Sequence, residues 1–176
     1  MNYYCFVASL NDSIKKNLLR FKKINIVYYS KEVSHFKIKE IRNFCKNNNL
    51  KFYIMDNVKL AFNFKAHGVF ISSANKELYR FSNSRLDIIG VAHNQIEYMI
   101  KKIQKCRAIF LSPIFFNKKF SENKILGPIR FRLITSNWKT QVYALSGINH
   151  LNIKLIKISR CVGIGFKSAI KNPLSF

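Results

Sequence analysis

In VYALSGINH, residues 142–150, an apolar run stops abruptly at Ser146-Gly147, and a helix-like pattern starts near Asn149. A buried-looking strand that ends in two small residues and enters a helix has two readings. A tight turn needs a residue tolerant of unusual dihedral angles, which Gly147 supplies. Small residues also let backbone N–H groups approach an anion at a helix N-terminus. The segments around this turn decide which fold it belongs to.

The same sequence of events recurs along the chain: a short apolar run, a polar turn, then a helical period. Residues 4–10 precede a helix with Ile14, Leu18 and Phe21 on one face, capped by Asn11 or Asp12. Residues 24–29 precede a helix from about Ser34, with Ile38, Ile41 and Cys45 in step. Residues 51–55 precede a short helix near 58–64, for which Asp56 is an attractive N-cap, and residues 68–71 precede 76–81. Residues 86–92 lead to a helix whose Ile96, Met99, Ile100 and Ile103 form an apolar stripe, a pattern expected to pack against a core. Residues 107–111 lead through a long loop, 112–127, to a helix near 128–134. Residues 142–145 precede a helix marked by Leu151, Leu155 and Ile158, and residues 162–166 precede a last short helix opened by Ser168-Ala169-Ile170.

Strands alternating with helices predict a parallel sheet covered by helices. Eight such units favour closure, so the expected fold class is α/β, a compact (β/α)8 TIM barrel in a single domain over residues 1–176. Such barrels commonly need about 200 residues or more, so the helices and loops must be short. An open doubly wound sheet is the structural alternative.

Composition narrows the class further. Forty-eight per cent of the residues are hydrophobic, enough for a globular core. The start, MNYYCFVASL, lacks a basic signal-peptide region, and no apolar run reaches membrane-spanning length, so no membrane partner is expected. Cys5, Cys45, Cys106 and Cys161 form no C-x-x-C pair, and the four histidines show no metal-ligand spacing with them. Buried free thiols predict a cytoplasmic protein. A net charge of +23 with eight acidic residues favours anionic partners. The lysines are spread along the chain without a nucleic-acid-binding motif, so small phosphorylated substrates suit the charge as well as nucleic acid does.

In a barrel of this type the site lies at the C-terminal ends of the strands, and phosphate commonly binds after strands seven and eight. Those positions hold Ser146-Gly147 and Lys167-Ser168-Ala169, two small-residue turns expected to open helices and to aim N–H groups at one anion. The other strand ends contribute Lys31, Asp56, Ser72 with Asn75, His93 with Asn94, and Ser112. The loop after Ser112 carries Lys118, Lys119 and Lys124.

The motifs IMDNVKLA (54–61), AHGVFIS (66–72), IIGVAHNQIE (88–97), FLSPIF (110–115) with ILG (125–127), YALSGIN (143–149) and GIGFKSAI (163–170) occur in an order that resembles thiamine phosphate synthase and the related TenI proteins. The resemblance implies a (β/α)8 barrel and a transferase of thiamine biosynthesis. The implied reaction joins hydroxymethylpyrimidine diphosphate to thiazole phosphate, giving thiamine phosphate and diphosphate with the help of Mg2+. It implies a phosphate cradle at Gly147 and Ser168-Ala169, with Ser146 in place of a glycine; Ser112 and Lys167 are expected as further substrate contacts from their strand-end positions. It implies metal binding at Asp56 with Asn75, where the family has a second aspartate, and catalytic roles for Lys31, Asp56, His93 and Lys119. The chain departs from the family on the diphosphate and pyrimidine side. Val27, Tyr29, Met55 and Val91 stand where the pattern has polar residues, and Asn117-Lys118-Lys119-Phe120 replaces a Thr-x-Thr-Lys run. These losses leave two alternatives to a divergent synthase. One is a metal-independent TenI-like thiazole tautomerase using His93 as acid–base group. The other is a non-catalytic barrel that binds a phosphate ligand or nucleic acid.

Overall fold

The computed structural model describes residues 1–21, 23–79, 86–118 and 120–167. Eight parallel strands close into a barrel in the order β1 to β8. They are β1 (Asn2–Val7), β2 (Ile24–Tyr28), β3 (Lys51–Met55), β4 (Gly68–Ile71), β5 (Asp87–Ala92), β6 (Ala108–Leu111), β7 (Gln141–Leu145) and β8 (Gly163–Lys167). β8 pairs with β1 through Tyr3↔Ile164 and Cys5↔Phe166, which completes the ring. The helices are α1 (Asp12–Leu18), α2 (His35–Asn47), α3 (Val58–Asn63), α4 (Gln95–Ile103), α5 (Gly127–Thr135) and α6 (Ile156–Ser159). The closed barrel predicted from the alternation is therefore the fold, and the open sheet is excluded.

Strand alternation divides the core in two. Tyr4, Phe6, Val27, Tyr53, Phe70, Ile89, Val91, Phe110 and Tyr143 point into the barrel and fill it. Cys5, Ile26, Phe52, Ile54, Val69, Ile71, Ile109, Leu111 and Ile164 point outward beneath the helices. The lumen is unusually aromatic: the Phe6 ring lies 4.9 Å from Phe70, and Tyr4 lies 5.2 Å from Phe110 in edge-to-face contact. That much ring volume fits because β8 presents glycines inward. A Cβ on Gly163 would come within 2.6 Å of the Tyr143 ring, and one on Gly165 within 2.8 Å of the Phe110 ring.

Local signals place most helix starts. Asn11, Ser34 and Asn94 each accept a hydrogen bond from a backbone N–H in the first turn of α1, α2 and α4. Asp56 is not the cap of α3: Asn57 Oδ1 accepts the Leu60 N–H at 2.9 Å. Asp56 instead takes a left-handed conformation, φ 50°, at the strand end.

Three further expectations are corrected. Residues 76–79 form no helix after β4, and residues 80 and 81 lie outside the described residues. The α4 stripe faces solvent, with Ile96 74% and Ile103 63% exposed, while Tyr98 and Lys101 are buried. Periodicity defines a stripe but not its direction. Tyr98 is drawn inward by stacking on Trp138 at 3.8 Å, and that rotates the stripe outward. Leu151, Leu155 and Ile158 are likewise exposed, and Ile153 and Ile156 are buried in their place. Asn149 and Asn152 bond each other's backbone N–H groups, which delays the helix: a 3-10 turn at Ile153–Leu155 precedes the four-residue α6. Short elements of this kind let 176 residues close a barrel.

Candidate functional site

The C-terminal ends of the strands gather those anticipated residues that are described on one rim, but with a different division of labour. At β7, Ser146 and Gly147 both lie in the left-handed region, φ 80° and 73°. Gly147 is required by close backbone approach: a Cβ would stand 2.4 Å from Phe115 O and 2.5 Å from Phe116 O. The β6 loop is thus seated directly on this turn, and the Phe115 N–H donates to Ser146 O at 3.3 Å. Ser146 Oγ is buried and has no hydrogen-bond partner among the described residues. No helix starts at Gly147, because residues 149–152 intervene and Asn152 Nδ2 caps Gly147 O at 2.8 Å. No helix dipole therefore acts at this turn, and only its N–H groups remain for an anion. Ser168 and Ala169 lie outside the described residues, as does Lys119. Lys167 is exposed at the end of β8, with Nζ 4.6 Å from the centroid of the Tyr29 ring.

At β5 and β6 the geometry fixes a tautomer. His93 Nδ1 lies 2.8 Å from Ser112 O. A carbonyl can only accept, so Nδ1 carries the proton and, in the neutral ring, Nε2 is left with a lone pair. The His93 N–H donates to Glu97 Oε2 at 2.7 Å while Asn94 Oδ1, at the N-cap of α4, accepts the Glu97 N–H at 2.9 Å, and this pair of bonds anchors the histidine backbone. Phe120 meets the imidazole edge-on at 5.3 Å. Ser112 is only 2% exposed, so its carbonyl, rather than its side chain, faces the site through His93. Lys31, Lys118 and Lys124 are exposed on the loops after β2 and β6.

At β3 and β4, Asp56 Oδ1 accepts the Ser72 N–H at 2.8 Å and Asn75 Nδ2 at 3.3 Å. Asp56 and Asn75 are brought together as anticipated, but through a hydrogen bond. Asn75 Nδ2 also donates to Tyr79 OH at 2.7 Å, and Asn75 Oδ1 accepts the Glu77 N–H at 2.9 Å. The oxygen that would ligate a metal is turned away from the carboxylate. No group of three or more His, Cys, Asp or Glu side chains with metal-binding geometry occurs among the described residues. A magnesium ion seeks several oxygen ligands with carboxylate charge. Asp56 with Asn75 in this arrangement does not fit one.

Behind this loop lies a network that the sequence pattern did not reveal. Lys101 Nζ donates to Asn75 O at 2.7 Å and to Gln104 Oε1 at 2.8 Å. Burial pulls the Lys101 ammonium below the usual lysine range, and Cys106, Asp56 and Glu97 act against that shift. The available signal was the polar Lys101 and Gln104 on the α4 face opposite the stripe, next to Gly90 on β5.

The substituted family positions also have a structural meaning. Val27 and Val91 belong to the buried lumen cluster, and Tyr29, Met55 and Leu145 pack on its upper edge. The mouth of the barrel is apolar on this side. A cavity of about 360 Å³ lies away from the rim, between α4 and the segment after α5, beside Met99, Lys102 and Trp138.

Fold and rim together define a (β/α)8 barrel of the kind that carries its chemistry on the C-terminal strand ends. The family described as thiamine monophosphate synthase matches residues 13–170, and the chain belongs to that family. It is 28% identical to a thiamine-phosphate synthase of Prochlorococcus marinus subsp. pastoris over 141 residues, covering 78% of this chain and 39% of the relative. A second Prochlorococcus marinus thiamine-phosphate synthase is 25% identical over 140 residues, covering 76% and 39%. The chain thus matches about two fifths of the length of these curated relatives. Among solved structures, thiamine phosphate pyrophosphorylase from Pyrococcus furiosus superposes with a TM-score of 0.77 at 18% identity, covering 98% of this chain and 88% of that one. The Bacteroides thetaiotaomicron thiamine phosphate pyrophosphorylase gives 0.65 at 14% identity, covering 96% and 83%. These two likenesses establish the fold. No helix among the described residues is long and apolar enough to cross a membrane.

Proposed function

We propose that the chain is a divergent thiamine-phosphate synthase acting on small phosphorylated substrates. The observation that carries this reading is the family match across residues 13–170, which takes in seven of the eight strands and every rim position discussed above. In the proposed reaction the bond between the pyrimidine methylene carbon and the diphosphate oxygen breaks, and its electron pair leaves with diphosphate. The thiazole nitrogen lone pair then forms the new C–N bond. The exposed ammonium groups of Lys31, Lys118 and Lys124, with Lys119, neutralise the leaving diphosphate. The N–H groups of the Ser146-Gly147 turn and the ammonium of Lys167, with Ser168 and Ala169, hold the thiazole phosphate. Asp56 keeps the β4 loop in place through the Ser72 N–H. No step is assigned to a metal ion, because the Asp56–Asn75 arrangement does not fit one.

His93 supports a second reading. An imidazole with Nδ1–H locked onto Ser112 O presents Nε2 as a base, as a metal-independent thiazole tautomerase requires. Both readings are tested by supplying the purified protein with hydroxymethylpyrimidine diphosphate and thiazole phosphate, with magnesium or with EDTA. Formation of thiamine phosphate supports the synthase. Its absence in both tubes, with proton exchange on a thiazole phosphate substrate that His93→Gln abolishes, supports the tautomerase instead. An Asp56→Ala variant with an unchanged rate removes Asp56 from the site.

A further inference from the structure

Lys101 has no exposed surface. A buried ammonium is costly unless hydrogen-bonded, and here its partners are a carbonyl and an amide oxygen rather than a carboxylate. Gln104 ties the same loop twice more, donating to Asn75 O at 3.0 Å and to Glu77 O at 2.8 Å. The space is prepared on β5: a Cβ on Gly90 would lie 2.8 Å from Lys101 Cδ. Asn75 therefore has the ammonium on its backbone carbonyl and the Asp56 carboxylate on its side-chain amide. Opposite charges thus lie on either side of one residue, and the side-chain oxygen of Asn75 accepts the Glu77 N–H while its Nδ2 faces Asp56.

We propose that Lys101 stands in for a divalent cation at this end of the barrel. Its ammonium holds the 72–79 loop from behind, and the Asp56–Asn75 site takes no Mg2+. Lys101 is a positioning residue, since it acts through Asn75 and touches no substrate atom. The proposal concerns the cofactor need of the site assigned above and rests on that reading only for the site's role. Its test does not depend on turnover.

The probe is Mn2+, followed by electron paramagnetic resonance as it is titrated into the full chain. Wild type and Asn75→Asp are expected to leave the free-ion spectrum unchanged at stoichiometric protein. Asn75→Asp combined with Lys101→Met restores a carboxylate pair and removes the opposing charge. It is expected to bind Mn2+ at least about tenfold more tightly than Asn75→Asp alone, the usual scale for a neighbour of a metal ligand. Circular dichroism checks folding, and Lys101→Gln replaces Lys101→Met if the latter does not fold. Stoichiometric Mn2+ binding by wild type that Asp56→Asn abolishes overturns the proposal. So does Asn75→Asp binding as tightly as the double variant, or a folded double variant that binds none. Failure of the synthase assay with these results intact refutes the proposed reaction and leaves the charge substitution standing.

Discussion

Replacing Ser146 by glycine should make this protein more stable. Ser146 sits at φ 80°, where an L side chain is strained by about 1–2 kcal/mol. Its hydroxyl is buried without a partner among the described residues, which costs about 1–3 kcal/mol in lost hydration. Glycine removes both penalties and loses about 0.4–1 kcal/mol through the greater freedom of the unfolded chain. At their mid-values the three terms leave a net gain of about 3 kcal/mol, and a chain of this length should melt about 6–12 °C higher. Thermal melts by circular dichroism and urea titrations with an unchanged m-value measure it. The Ser146-Gly147 backbone stays in place, so binding of inorganic phosphate is expected to persist. An unchanged or lowered melting temperature would overturn this expectation, because it would mean that the hydroxyl has a partner or that the turn is not strained.

Gly147→Ala acts in the opposite direction. The new Cβ would collide with the Phe115 and Phe116 carbonyls at a left-handed residue, so a loss of about 2 kcal/mol or more is expected in urea titrations, with loss of phosphate binding. Single Ile96→Lys and Ile103→Lys variants should change stability by no more than about 0.5 kcal/mol, because both side chains are exposed; a loss several times larger would return the stripe to the core. His67 Nδ1 accepts the Phe52 N–H at 3.1 Å, and burial, followed by Lys51, holds its pKa below the ordinary 6.5. The unfolded chain then takes up a proton first as the pH falls. The contribution of His67 is present above that ordinary value and is lost as the pH drops below it. Urea midpoints between about pH 7 and pH 5 should fall less steeply in His67→Asn, which keeps an acceptor near Phe52 but cannot titrate; equal slopes would remove His67 from the pH response.

Strand positions were legible because the signals that define them are local. β3 and β4 have the bounds predicted from their apolar runs, Asn11 is the one of the two candidate residues that caps α1, and α2 begins beside Ser34 as expected. Alternation of strand and helix implied a parallel sheet, and eight repeats were enough to imply closure. The rim residues followed, since strand ends in such a barrel share one face. Even the apolar mouth was present in the sequence as Val27, Tyr29, Met55 and Val91.

The sequence by itself therefore determined the strand order, the closed barrel and which strand ends lie on its rim, because these depend on period and turn chemistry within a few residues. Tertiary structure alone decided what depends on partners far along the chain. Trp138 turned Tyr98 inward and sent the Ile96–Ile103 side outward, across 40 residues of sequence separating the two rings. Backbone from the β6 loop made Gly147 indispensable and left Ser146 strained beside it. Lys101 reached Asn75, 26 residues away, and placed a positive charge behind the Asp56 loop. A period reports that a helix has two faces; only the neighbours that compete for burial determine which face turns inward.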